Sequence, residues 1–197
     1  MPRFRCVLSA LAGLALFACD HSRPLAPTSD PRALRASLSE QDDGDLGSAS
    51  GKGHYDILGL DVQFEFAAEQ RNKNESADGE FRVYADEGGG LIVDFTARVT
   101  CLAIDAVNHR AWIGGKVTSN QSTDPDLTTK IHQRGDDIWF RVLDMGSGPG
   151  VTDRSTFTGF EGAAGFRTSG EYCAGRPWPA DDARTWPVVE GDITVRP

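Results

Sequence analysis

The chain has 197 residues, 39% of them hydrophobic and 25% charged, a balance that fits one globular domain with appendages. Its 29 acidic and 20 basic residues give a net charge of −9, and loss of residues 1–18, whose only charges are Arg3 and Arg5, would take this to −11. Such a chain argues against nucleic acid or anionic lipid as the main partner, since both require clustered Lys and Arg. The alternative is that the acidity only keeps the protein soluble.

Residues 1–18 read as a signal segment that would form a helix. Arg3 and Arg5 make a short basic start, and residues 7–17 are apolar except for Ser9. That run is too short for a permanent membrane span and suits a cleaved h-region. It ends in Leu16-Phe17-Ala18-Cys19, which resembles the lipobox of bacterial lipoproteins. The resemblance implies that Cys19 is acylated, becomes the new N-terminus and attaches the protein to a membrane of the cell envelope. The alternative is plain secretory cleavage near Ala18.

Residues 19–50 read as a disordered tether, rich in Pro, Ser, Asp and Gly, with too little apolar surface to fold alone. A short helix over 32–40 would place Leu34 and Leu38 one turn apart. From residue 51 onward the expected domain is all-β. In residues 60–69, Val62, Phe64, Phe66 and Ala68 alternate with Asp61, Gln63 and Glu65, as in a half-buried strand. A polar turn over 71–79 leads to a second strand at 80–85. Gly88-Gly-Gly90 breaks the chain before a long strand, or two with a bend, at 91–104. Asn108-His109 marks a hairpin turn into a strand at 111–117, followed by a loop over 119–126. Further strands are expected at 137–143, 155–160 and 188–195, with no helical repeat after residue 40. Many short strands with regular turns predict an antiparallel two-sheet sandwich of jelly-roll type over 51–197.

Chemistry-bearing patterns are few. The four histidines, His21, His54, His109 and His132, match no metalloprotease or paired-ligand spacing, and there is no phosphate-binding loop or nucleophile elbow. A glycosidase needs only two suitably spaced carboxylates, which sequence alone does not identify. His54, where tether meets domain, is either an acid/base or ligand contact or a strand-bracing side chain. The segment from Asp144 to Asp153, glycine-rich with an aspartate at each end, either holds calcium or builds a turn. Of four tryptophans, Trp112 and Trp139 are candidate sugar-stacking contacts, with core or cap packing as the alternative. Trp178 and Trp186 lie in a Pro-rich segment expected to fold over a sheet face. No cofactor or metal is indicated.

Four cysteines are present. Cys6 leaves with the signal segment and Cys19 would carry lipid, so Cys101 and Cys173 remain as a pair in a compartment where disulfides persist. Joining them would staple the Trp/Pro-rich segment onto the sheet; the alternative is two buried free thiols that pack as small hydrophobes.

Gly51-x-Gly-His54, Val99-Thr-Cys-Leu102, Arg110-Ala-Trp-Ile-Gly-Gly115, Val142-Leu-Asp-x-Gly146 and Gly191-Asp-Ile-Thr-Val-Arg-Pro197 occur in this order. Together they resemble a group of exported bacterial proteins of unknown function with a small β-sandwich after a signal segment. The group usually has Phe before the second cysteine, where this chain has Tyr172. The resemblance implies export and fold, and no activity. The expected role is non-catalytic binding or structural work at the envelope, on a glycan, peptide or partner protein. The alternative is a hydrolase acting on envelope or extracellular polysaccharide.

Overall fold

The structure, a computed structural model, describes residues 46–197 except 160, 162–164 and 181. The expected signal segment, the expected lipidation site Cys19 and the expected tether up to residue 45 lie outside the described residues.

The described chain is mostly β. Strands β1 (Gly47–Ile57), β2 (Leu60–Gln70), β3 (Asp78–Gly88), β4 (Leu91–Asp105), β5 (Arg110–Asn120) and β6 (Asp137–Leu143) follow one another as an antiparallel meander. Two-residue strands β7 (Arg154–Ser155) and β8 (Trp186–Pro187) extend it, and β9 (Glu190–Arg196) returns to pair with β1. The order β8-β7-β6-β5-β4-β3-β2-β1-β9 is one hydrogen-bonded sheet of nine strands. This corrects the expectation of two sheets, since no gap in pairing divides these strands into separate layers. Alternation along a strand fixes which residues are inward-facing, but it does not distinguish two facing sheets from one sheet wrapped on itself.

The sheet curls around its own inner face. Phe66 of β2 meets Phe140 of β6 edge-on at 5.3 Å, although three strands separate them in the order. Phe81 meets the same Phe140 at 5.0 Å, and Tyr55 of β1 stacks on Trp186 of β8 at 6.4 Å. Val62, Val83, Phe95, Ile113 and Ile193 complete this core from the intervening strands.

The expected boundary at residue 51 falls inside β1. Residues 47–50 pair with β2 and residues 48–50 also with β9, and Ala49 is buried. Gly47, Ala49, Gly51 and Gly53 alternate along β1, so this run is a strand with small inward-facing positions. At Gly51 a Cβ would fall 2.8 Å from the Phe66 ring and 2.9 Å from Ile193 Cγ1, so the large rings of β2 occupy the space a side chain would need. A chain shortened to begin at Gly51 is therefore expected to lose about 3 kcal/mol, at roughly 1 kcal/mol per ladder bond removed. A chain beginning at Leu46 should match one beginning at Asp20. Urea unfolding of the two truncations checks this.

Between β9 and the far end of the meander, side chains replace part of the backbone ladder. Asp153 Oδ2 accepts from Ile193 N at 2.7 Å and Asp144 Oδ2 accepts from Val195 N at 3.0 Å. Their other oxygens accept from Met145 N and Gly146 N, both at 2.9 Å. All four carboxylate oxygens of this glycine-rich segment thus hold backbone N–H groups, which is its conformational role. Asp153→Ala is expected to cost about 2–3 kcal/mol, because it strands two donors at a buried position. Asp144→Ala should cost less, its side chain being only half-buried. Denaturant midpoints of the two variants test the order.

Two short helices, which the sequence reading does not anticipate, complete the fold. Helix α1 (Pro125–Thr129) starts at the Asp124 cap, within and beyond the expected loop. Helix α2 (Ser169–Gly175) packs on the outer face of β4–β6. Its start is a Thr-x-x-Glu cap: Thr168 Oγ1 accepts from Glu171 N, and Glu171 Oε2 accepts from Arg167 N.

Candidate functional site

Cys101 and Cys173 are joined as a disulfide, with Cα atoms 6.2 Å apart, tying β4 to α2. Around it Ala103, Trp112, Tyr172 and Cys173 form a second buried cluster, outside the sheet. Trp112 is 1% exposed and donates its indole N–H to Pro177 O at 3.0 Å. Trp139 stacks on Tyr172 at 5.7 Å and donates to Glu161 O at 3.2 Å. Trp112 is therefore a packing residue rather than a sugar platform, and one face of Trp139 is already covered. Trp178 lies under the Arg184 guanidinium at 3.9 Å, and Trp186 belongs to the inner core, as the expected capping role of this segment requires.

Beneath α2 lies a buried charged network. Arg141, fully buried, donates from Nη2 to Glu161 Oε1 at 3.2 Å and from Nη1 to the Trp178 carbonyl. The Tyr172 hydroxyl donates to Glu161 Oε2. Burial raises the Glu161 carboxyl above its usual range, against the opposing pull of Tyr172 and Arg141. These groups consume one another's hydrogen bonds and hold the cap to the sheet.

His54 stands elsewhere, on the outer face of β1. It helps line an open groove of about 630 Å³ that crosses β9, β1, β2 and β3. Strand register explains the lining. Glu190, His54, Gln63 and Tyr84 lie in one cross-strand row, and Lys52, Glu65 and Arg82 lie in the next. At about 4.8 Å between strands the groove is about 15 Å long, and it runs across the strands rather than along them.

His54 Nδ1 hydrogen-bonds to Asp61, and Nε2 lies 3.9 Å from Glu190 Oε2. Nε2 is covered and has no hydrogen-bond partner. In this arrangement the ring braces β1 against β2 and β9. Arg82 is held by Asp94 through two bonds of 3.0 and 2.9 Å. Lys52, Glu65 and the Tyr84 hydroxyl make no hydrogen bond within the described residues, so they are the side chains that can engage a ligand. Among the described residues no serine, threonine or cysteine lines the groove. Among the described residues no three His, Cys, Asp or Glu side chains come together as a metal site.

The sequence reading singles out His54 but not its neighbours. Gln63, Glu65, Arg82 and Tyr84 sit at the outward positions of strands it does place, so their faces were legible; that they share a groove depends on the β1–β9 and β1–β2 registers. Trp139 lines a different, smaller recess with His132, whose ring stacks on Phe95 at 4.7 Å. Burial lowers the pKa of His132. No protein family, curated protein or solved structure gives a match to this chain.

Proposed function

We propose that this protein is exported, lipid-anchored through Cys19 at a bacterial cell envelope, and works there as a non-catalytic binding domain whose groove on β9-β1-β2-β3 takes a short stretch of glycan. The observation that carries this reading is the open groove itself, with Lys52, Glu65 and the half-buried Tyr84 uncommitted within it. A polar ligand laid across strands gains side-chain hydrogen bonds and one aromatic face, and cannot pair with the sheet backbone. The signal segment and lipobox resemblance support the location, and a disulfide suits an oxidising compartment. Fatty-acid labelling of the protein with and without Cys19→Ala tests the anchor.

A second reading, hydrolysis of polysaccharide, rests on the His54–Asp61 pair, which resembles an oriented base. Glycan-array binding of the mature protein separates the two. Binding without release of reducing ends, weakened about tenfold by Tyr84→Ala, supports the first. Turnover abolished by His54→Asn supports the second. An array with no binder and no turnover removes both.

A further inference from the structure

The β1–β2 turn carries an unusual residue. Leu58 and Gly59 are the central pair of a two-residue hairpin, with φ of 55° and 88°. A turn of this shape needs positive φ at both positions and favours Asn-Gly or Asp-Gly. Leucine is strained there, because its Cβ crowds the following carbonyl. Its side chain is also fully exposed, at 102% of the reference value, and touches no core. Asp56 Oδ1 accepts from Gly59 N at 2.9 Å, and the ladder closes at Ile57↔Leu60, so the turn is fixed by groups other than the leucine. The fold gains nothing from an apolar side chain at this position, and a strained backbone position held by an apolar residue that packing does not require points to a contact made outside the molecule.

The charges around the tip indicate the partner. Asp56 and Asp61 flank the turn, Asp86 and Glu87 end the adjacent β3, and Glu190 opens β9 at the same end. No Lys or Arg occurs in residues 55–63 or 83–94. An anionic bilayer would be repelled by this ring, and a second copy docking tip to tip would bring carboxylates against carboxylates. We propose that Leu58 is a rigid apolar knob that inserts into the pocket of a protein partner whose pocket rim is basic. This goes beyond the glycan groove and does not depend on it.

The test uses the full chain in the envelope of the cells that make it, with a photoreactive residue in place of Leu58. The expected result is one discrete adduct with another protein, suppressed by raised salt. Added purified wild-type mature protein should compete the adduct away. Leu58→Asn, which suits the turn and should fold at least as stably, should compete at least about tenfold less well, as expected for one lost buried leucine. Val107→Asn, at an exposed turn on the opposite end, should compete like wild type. An adduct only with lipid or with a second copy, no adduct, or equal competition by Leu58→Asn would each overturn the proposal.

Discussion

Replacing Arg141 with alanine is expected to destabilise the domain by about 3–5 kcal/mol, the usual consequence of removing one partner from a buried ion pair. Arg141 is fully buried and bridges the Glu161 carboxylate and the Trp178 carbonyl, so its loss removes a donor from both buried acceptors. Arg141→Lys should recover only part of the loss, since an ammonium lacks the planar fork that reaches two acceptors at once. The effect should depend on pH in a stated direction. Burial raises the Glu161 carboxyl above its ordinary value of 4.5. A carboxyl raised in the folded state contributes stability that is fully present below its unfolded value and is lost as pH rises through the folded one. Without Arg141 the carboxyl is raised further, so the variant loses stability over a wider range of rising pH than the wild type does. The deficit should therefore be smallest in acid, below about pH 4.5, and grow toward neutrality. Urea unfolding of both proteins at pH 4 and 7 checks this, and a deficit larger at the acidic pH would refute the assignment.

Loss of the Cys101–Cys173 bond is expected to be comparable in size. The cysteines are 72 residues apart in sequence, and chain entropy for such a loop gives about 4 kcal/mol, or roughly 8–16 °C in Tm for a domain of this size. Local consequences should be sharper than global ones. Helix α2 has seven residues, too few to persist without tertiary support. Its amides should exchange first in the Cys101→Ser/Cys173→Ser variant, while those of β1–β3 remain protected. Thiol labelling of unfolded, unreduced mature protein should find neither cysteine free. Two titratable thiols in material from an oxidising compartment would mean that packing alone holds the cap.

The long alternating strands were legible in sequence because one face meets a core and the other meets solvent. β2, β3 and β5 are read within a few residues, and residues 137–143 match β6. β1 was missed because its inward positions are small: Gly47, Ala49, Gly51 and Gly53 look like a linker unless their period of two is compared with the phenylalanines of β2. The expected strand at 155–160 shrank to two residues, since its continuation turns to meet Arg141 and Tyr55 through Thr156 and Thr158 side-chain and backbone bonds. Helix α2 had a readable start in Thr168-Ser-Gly-Glu171 but is too short to show a periodic face. The disulfide followed from counting cysteines. The groove did not follow from local pattern, because its rows exist only once Glu190 lies beside His54.

That last pairing bears on how the domain reaches its native state. The first strand sits between its neighbour in sequence and the final strand, with Ser48 opposite Arg196. A chain emerging from its N-terminus can zip β1 to β6 as successive hairpins, each made from local contacts. One flank of β1 stays open until residues 190–196 are available, and the carboxylates of Asp144 and Asp153 have no donors on β9 until then. Closure should be the late, slow step, set by contacts between strands far apart in sequence. A chain stopped before β9 would present a long open strand edge, so it should yield a species prone to aggregation rather than a smaller stable fold.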